Sequence, residues 1–150
     1  MECNKNKLAN NLFISLGIVS QLTDAMLATK LSPFGISSSQ FTILTHFLRH
    51  QDQAQTISDL AKVMQMNQPG LTKVINKLHQ MGMLDIEKDQ FDGRKKWIRI
   101  NAFGIETVQA AYASFMPVMD EIFAEWGENE MQQTLDKIDK LKVWLDENRI

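Results

Sequence analysis

The fold of this chain is decided by residues 55–104, which read QTISDLAKVMQMNQPGLTKVINKLHQMGMLDIEKDQFDGRKKWIRINAFG. Two stretches with helical spacing come first, followed by a tight corner and two alternating segments around a charged tip. Thr56 is suited to be the N-cap of the first helix, and Asp59 places a carboxylate near the positive end of that helix. One apolar stripe on this short helix is predicted from Leu60, Val63 and Met64.

The second helix is predicted over residues 69–81. Pro69 suits its first turn because the N–H that proline lacks would be unpaired there, and Gly82 suits the position just after its end. The apolar residues at helical spacing should face a core: Leu71, Val74, Ile75, Leu78 and Met81. The corner and the opposite face carry amide, hydroxyl and basic side chains that suit base edges and phosphates in a major groove: Asn67, Gln68, Thr72, Lys73, Asn76 and Lys77.

A short β-hairpin is predicted after this helix. Residues 83–88 alternate with Leu84 and Ile86 on one face, and residues 96–100 alternate with Ile98 and Ile100 on one face. The residues between them form a hairpin tip with an Asp-Gly turn. A helix–turn–helix followed by such a hairpin is a winged helix, in which one helix enters a groove while a basic tip reaches the adjacent backbone or the minor groove. The predicted fold class is therefore mostly α with a small β-hairpin.

One pattern spans the hairpin and the start of the next helix: Asp89-x-x-Asp92-x-Arg94-x-x-x-Ile98-x-Ile100-Asn101-x-x-Gly104. It resembles the wing signature of the MarR family, the multiple-antibiotic-resistance type of bacterial repressors. Residues 72–78 are similar to the recognition helix of that family, and residues 31–44 resemble its loop into the second helix, so the resemblance covers nearly the whole chain. The chain departs from the family pattern at four positions, with Lys in place of Arg, His in place of Glu, Ile in place of Arg and Asn in place of Thr: Lys73, His79, Ile86 and Asn101.

The resemblance implies a domain organisation and a function. Within a single MarR-like chain of 1–150, it implies a winged helix-turn-helix DNA-binding lobe at about 37–101 and long N- and C-terminal dimerisation helices at about 1–36 and 102–150. The expected function is that of a sequence-specific DNA-binding transcriptional regulator, a ligand-responsive repressor that acts as a homodimer on a pseudo-palindromic operator in double-stranded DNA. The alternative is a winged-helix protein-interaction module without DNA binding.

The DNA contacts are predicted on the second helix and the wing. The lysines are assigned to phosphates, the amide and hydroxyl side chains to base edges, and Arg94 to the minor groove, with Asp92 pairing with Arg94 to aim its guanidinium. The complete set of predicted DNA-binding residues is Asn67, Gln68, Pro69, Gly70, Thr72, Lys73, Asn76, Lys77, Asp92, Arg94, Lys95 and Lys96.

The two ends of the chain are predicted to be long helices. Residues 8–31 carry more apolar surface than one buried stripe requires, which suggests a second copy of the chain as partner. After the wing, Asn101 should cap a helix that runs from residue 102 to about 126 and is bent at Pro117. A final helix is predicted over about 128–147.

The charge is divided unevenly along the chain. The net charge is −2, yet residues 73–99 hold seven basic and four acidic residues, whereas residues 102–150 hold four basic and ten acidic ones. The local field matters more than the total for binding an anionic polymer. The composition is thus compatible with a DNA-binding face on an otherwise acidic molecule.

Other classes of function are disfavoured. The three histidines and the single cysteine offer no nucleophile–base pair that the sequence places together, so we expect no enzyme, no cofactor and no metal site. His46 and His50 are helical neighbours, for which a surface pair or a pocket-lining His46 is preferred over a zinc site. Cys3 is interpreted as a tail thiol that precedes the first helix.

The expected location is the cytoplasm, and no membrane partner is expected. No apolar run approaches the ~18–20 residues needed to span a bilayer. The first residues lead into an amphipathic helix rather than a signal peptide.

The resemblance also implies an effector. MarR-type regulators commonly release DNA when a small aromatic or phenolic compound binds between the dimerisation helices and the DNA-binding lobe. The candidate contacts to such a ligand are Met26, Phe34, Phe41, His46, Phe47 and Tyr112.

Overall fold

The computed structural model describes residues 2–64 and 66–149, with side chains described from residue 4 onward. In that part of the chain, six α-helices and two strands follow in the order α1 (Glu2–Leu31), α2 (Ser38–Arg49), α3 (Ile57–Met64), α4 (Gln68–Gln80), β1 (Leu84–Lys88), β2 (Lys96–Ile100), α5 (Ala102–Ile122) and α6 (Glu128–Glu147). A 3₁₀ turn at Ser32–Phe34 connects α1 to α2. The predicted class, mostly α with one small hairpin, is confirmed.

Capping residues set where α2 and α3 begin. The hydroxyl of Ser37 accepts a hydrogen bond from the N–H of Gln40 at 3.2 Å, and the Gln40 side chain accepts one from the N–H of Ser37 at 2.9 Å. Thr56 and Asp59 form the same reciprocal arrangement at 3.2 and 3.4 Å. Each pair satisfies two backbone donors that the first helical turn leaves without partners. The N-terminal signal predicted for α3 is therefore confirmed.

The hairpin is antiparallel and pairs Leu84 with Ile100 and Ile86 with Ile98. Gln55 adds a single bridge outside the hairpin, because its N–H donates to the Ile98 carbonyl at 3.0 Å and its carbonyl accepts from the Ile98 N–H at 2.8 Å. Through this bridge, the segment between α2 and α3 is attached to the wing. Sequence patterning missed the bridge because one paired residue produces no periodicity.

The core lies where α2, α4 and α5 meet the hairpin. Its largest fully buried side chains are Phe47, Leu31, Ile43, Leu44, Leu60, Leu71, Ile75, Leu78, Leu84, Ile98 and Val108. Gly104 lets α5 approach the hairpin closely, since a Cβ atom there would lie 2.3 Å from the Met83 carbonyl oxygen and 2.8 Å from Cγ1 of Ile100. Gly82 adopts φ +77° just after α4, as predicted for the residue that ends this helix.

The terminal helices leave large apolar side chains in solvent. On α1 these include Leu12, which is 62% exposed, and Phe13, which is 74% exposed. None of the described side chains of α6 is buried, although Leu135, Ile138 and others of its residues are apolar. The helix α5 contains Pro117 and ends at Ile122, earlier than the predicted end near residue 126. The predicted bounds of α6 are matched.

The N-terminal helix differs from its prediction in three respects. It begins at Glu2, so the backbone of Cys3 belongs to its first turn rather than preceding it, while the side chain of Cys3 lies outside the described residues. Exposed apolar residues include three consecutive ones, at 12–14, so the apolar surface is not confined to one amphipathic stripe. The segment Asn4–Phe34 also contains an 18-residue window apolar enough to cross a membrane, with a mean hydropathy of 1.5 over that window. This last property is weak evidence of a membrane span, because core helices and signal sequences share it.

Candidate nucleic-acid interface

The start of α4 is fixed by Asn67. Its Oδ1 accepts a hydrogen bond from the N–H of Gly70 at 2.8 Å, and Pro69 occupies the first turn as predicted. A side-chain oxygen used in this way satisfies a backbone donor at the helix N-terminus. The oxygen of Asn67 that was expected to face DNA therefore caps the helix instead.

The two faces of α4 are separated as predicted. Leu71, Ile75 and Leu78 are buried in the core. Lys73, Asn76 and Lys77 are exposed on the outer side, together with Gln68 and a half-buried Thr72. The outer face of α4 thus presents cations and hydrogen-bonding groups to solvent.

The shape of the wing tip depends on Asp89. Its carboxylate accepts three hydrogen bonds, from Nε1 of Trp97 at 2.9 Å and from the backbone N–H groups of Asp92 at 3.0 Å and Phe91 at 3.1 Å. The bond from Trp97, followed by those from the backbone, holds the pKa of Asp89 below its ordinary value. The ammonium of Lys95 lies 4.6 Å from the centre of the Trp97 ring, a cation–π contact that holds this lysine against the wing.

The predicted ion pair between Asp92 and Arg94 is wrong. Oδ1 of Asp92 accepts a hydrogen bond from the backbone N–H of Arg94 at 3.0 Å. The salt bridges among the described residues lie elsewhere, both on or next to α6. A carboxylate two residues before an N–H closes a small turn at little entropic cost, whereas the guanidinium stands on a long flexible stem. Asp92 therefore shapes the backbone under Arg94 and leaves the guanidinium unbraced.

A groove of about 470 Å³ joins the wing tip to the starts of α3 and α4. Five of the predicted DNA-binding residues line it: Gln68, Asp92, Arg94, Lys95 and Lys96. The first turn of α3 supplies a wall that the sequence pattern does not predict: Thr56, Ile57, Ser58 and Asp59. Hydrogen bonding from the Thr56 hydroxyl, and then from the Thr56 N–H, lowers the pKa of Asp59. The capping pattern at Thr56 was visible in the sequence, but its proximity to the wing depends on the bridge between Gln55 and Ile98.

The base of the wing is held by Asn101. Its Oδ1 caps α5 by accepting from the N–H of Gly104 at 3.0 Å, while its amide nitrogen donates to the Gly82 carbonyl at 2.8 Å and to Asp85 at 3.1 Å. A threonine hydroxyl could cap the helix but could not also donate two hydrogen bonds. The departure from the family pattern at this position thus adds a connection between the end of α4 and the start of α5.

A second cavity, of about 480 Å³, lies between α2, α3 and α6. It is lined by Phe41, Thr42, Thr45, His46, Arg49, Val63, Met64 and Lys142. Two of the expected ligand contacts, Phe41 and His46, are in this lining, whereas Met26 and Phe34 are half-buried outside it. The ring of Tyr112 packs on Phe41 with 5.5 Å between centroids. The hydroxyl oxygen of Thr45 is buried without a hydrogen-bond partner among the described residues.

Phe47 does not line this cavity. Its side chain is fully buried in the core, and the ligand contact expected of it stays a prediction.

The histidine pair is adjacent as predicted. The ring centroids of His46 and His50 are 4.8 Å apart, and Nε2 of His46 lies 2.9 Å from the side-chain oxygen of Gln55. Within the described residues, no group of three or more His, Cys, Asp or Glu side chains could hold a metal ion.

The comparisons with known proteins agree with this geometry. The MarR family model matches residues 34–95. Residues 34–95 are a MarR-family segment. This MarR-family segment contains α2, α3, α4 and β1, and it includes every predicted DNA-binding residue except Lys96.

Solved structures match the chain well beyond the MarR-family segment. Staphylococcus aureus MepR in complex with DNA is 23% identical, with a TM-score of 0.80 over 88% of this chain and 96% of that one. A MarR protein from Peptoclostridium difficile has a TM-score of 0.80 at 19% identity, over 91% and 88% of the two chains. A mutant of Escherichia coli MarR, complexed with operator DNA, has a TM-score of 0.77 at 20% identity, over 87% and 93%. A search of curated proteins found no match. The structural similarity confirms the winged-helix fold with long terminal helices.

Proposed function

We propose that this chain is a DNA-binding transcription regulator of the MarR type. One observation carries the proposal: the wing tip and the starts of α3 and α4 meet in a single groove that Arg94, Lys95 and Lys96 line, beside the exposed face of α4. The similar structures of MepR and MarR that contain DNA support it.

The proposed contacts follow from the chemistry of each side chain. Lys73 and Lys77 on α4, with Lys95 and Lys96 on the wing, are exposed and are assigned to phosphates. The amide and hydroxyl groups of Gln68, Thr72 and Asn76 are assigned to base edges in the major groove. Arg94, which is exposed at the wing, is assigned to the minor groove.

The regulator is proposed to act in the cytoplasm as a homodimer. Large apolar side chains are exposed on α1, α5 and α6, and α6 has no buried side chain within the described residues. A second copy that covers these helices would remove this apolar area from water. The dimer would place two α4 helices in successive major grooves about one helical turn apart, so the operator should be pseudo-palindromic.

The DNA-binding proposal is tested by selecting bound duplexes from a random pool and titrating the selected duplex by fluorescence anisotropy. If ~6–10 phosphates are neutralised, the affinity should fall by ~10³-fold or more between 50 and 200 mM salt. Lys73→Ala and Lys77→Ala should each reduce the salt dependence, whereas Lys140→Ala on α6 is the matched control and should not. A salt-insensitive complex, or no preference for any duplex, would overturn the proposal and favour the protein-interaction alternative.

We further propose that the regulator is a repressor released by a small aromatic effector. The cavity between α2, α3 and α6 has a volume suited to such a molecule. Arg49 and Lys142 in its lining favour an effector with an anionic group, and the Thr45 hydroxyl is available as a hydrogen-bonding partner. Such a compound must bind preferentially to the form that does not hold DNA, since only a difference in affinity shifts an equilibrium.

A compound screen for release of the selected DNA tests this second proposal. Arg49→Ala should weaken the effect of an anionic hit without weakening DNA binding in its absence. If the variant responds to the hit as the wild type does, the cavity is not the effector site.

A further inference from the structure

Phe91 at the wing tip is exposed to an unusual degree. Its side chain is 95% exposed, more than any other large apolar side chain in the described part of the chain. The other strongly exposed apolar residues lie mostly on the terminal helices that the dimer would cover, whereas Phe91 lies outside these helices, at the wing tip. In the described part of the lobe at 37–101, the only other large apolar residue that is exposed is Val63, at 61%.

The backbone that carries Phe91 is fixed. The N–H of Phe91 donates to the Asp89 carboxylate, which also accepts from the N–H of Asp92 and from the Trp97 indole. Across the tip, the N–H of Asp89 donates to the Lys95 carbonyl at 2.9 Å, and the N–H of Lys95 donates to the Asp92 carbonyl at 3.0 Å. The ring is thus presented from an ordered turn, which lowers the entropic cost of placing it against a partner.

The surroundings of Phe91 indicate the nature of that partner. Arg94, Lys95 and Lys96 follow it on the same tip, and all three are exposed. An apolar ring among cations suits a surface that is both anionic and partly apolar. The minor groove offers phosphates at its borders and deoxyribose and base edges inside it, and minor-groove proteins often place an apolar wedge between base steps.

We propose that Phe91 is a DNA-contacting wedge, which enters the minor groove beside Arg94 and partially unstacks one base step. This inference rests on the proposed function and adds to it a contact that reads deformability rather than base edges. Pyrimidine–purine steps unstack most easily, so the selected operator should carry such a step under each wing.

The affinity test compares three variants on the operator that the wild type selects. Phe91→Ala should weaken binding by ~10- to 100-fold, the range expected when the burial of a Phe side chain is lost. Phe91→Leu keeps an apolar wedge and should bind within ~3-fold of the wild type. Gln90→Ala, at the exposed neighbour on the same tip, is the matched control and should leave the affinity unchanged. Because Phe91 makes no buried contact, equal thermal stability of the variants should show that the fold is retained.

A fluorescent base separates wedging from simple surface contact. With 2-aminopurine at the step under the wing, binding of the wild type and of Phe91→Leu should raise the fluorescence as the base unstacks, and Phe91→Ala should not. Wild-type affinity for Phe91→Ala, or no rise in fluorescence with the wild type, would overturn the inference while DNA binding itself stands. Failure of the wild type to bind any duplex would instead overturn the proposed function and the inference together.

Discussion

At the scale of single residues, the wing tip depends on short-range hydrogen bonds to two carboxylates. Asp89 collects the Trp97 indole and two backbone N–H groups, and Asp92 holds the backbone N–H of Arg94. Both acids lie among cations that should face phosphates, where a carboxylate would otherwise be unfavourable. Their contribution is therefore to the shape of the tip, which sets where Arg94 emerges.

Ionisation of Asp89 should stabilise the folded state above acidic pH. Its pKa is lowered in the folded protein from an ordinary value of 3.8, first by the Trp97 hydrogen bond. The contribution of the ionised Asp89 to the free energy of unfolding should be complete at pH values above that ordinary pKa. It should be lost as the pH falls through the lower pKa of the folded state. In urea unfolding at several pH values, the stability advantage of the wild type over Asp89→Asn should be constant near neutral pH and shrink below about pH 4. Both proteins retain Asp59, whose pKa is also lowered, so an advantage that does not shrink with acid would contradict the assignment to Asp89.

Removing the guanidinium of Arg94 should weaken DNA binding without altering the fold. Arg94→Ala is expected to cost ~1–3 kcal/mol of operator affinity in an anisotropy titration, the range for a groove contact. Asp92→Ala should cost less, because it loosens the turn beneath Arg94 and leaves the guanidinium in place. Unchanged circular dichroism and thermal unfolding would be the control, and wild-type affinity for Arg94→Ala would remove this residue from the mechanism.

At the scale of elements, α4 carries its own start signal. Asn67 caps the helix through Gly70, so its oxygen serves α4 rather than a base. Asn67→Ala should lower the free energy of unfolding by about 1 kcal/mol, and Asn67→Ser, which retains a capping oxygen, should restore it. The two variants also distinguish helix capping by Asn67 from base recognition by Asn67. If Asn67 only caps the helix, Asn67→Ser should bind the operator as the wild type does. A loss of sequence preference with Asn67→Ser would instead assign Asn67 to base recognition.

The sequence was sufficient for elements whose signals are local. Periodic apolar residues and capping side chains define α3, α4, both strands and α6, because each of these signals acts within a few residues of the chain. The bridge at Gln55, the wall that the first turn of α3 adds to the groove, and the burial of Phe47 depend on contacts distant in sequence. The predicted Asp92–Arg94 ion pair was wrong because of a local contact rather than a distant one. The Asp92 carboxylate lies closer to the backbone N–H of Arg94 than to its guanidinium.

At the scale of the whole molecule, exposed apolar helices at both ends of the chain are the basis of the dimer prediction. Leu12→Asp on α1 combined with Leu145→Asp on α6 should give a monomer in light scattering, because the introduced carboxylates could not be buried in a dimer without partners. Val63→Asp, the same kind of change at an exposed apolar position of α3, is the control and should leave the mass unchanged. A wild type of monomeric mass, or a variant that remains dimeric, would contradict this arrangement.

The bridge between Gln55 and Ile98 has a consequence for operator spacing. Its two backbone hydrogen bonds connect the segment before α3 to the second strand of the wing. A third hydrogen bond, from the Arg99 side chain to the Asp52 carbonyl at 3.3 Å, joins the same two parts. Within one chain, these bonds therefore limit how far α4, the proposed recognition helix, can move relative to the wing. Base pairs inserted between the two half-sites could be accommodated by a shift of one subunit against the other, but a single pair inserted within a half-site would leave either the helix or the wing out of register.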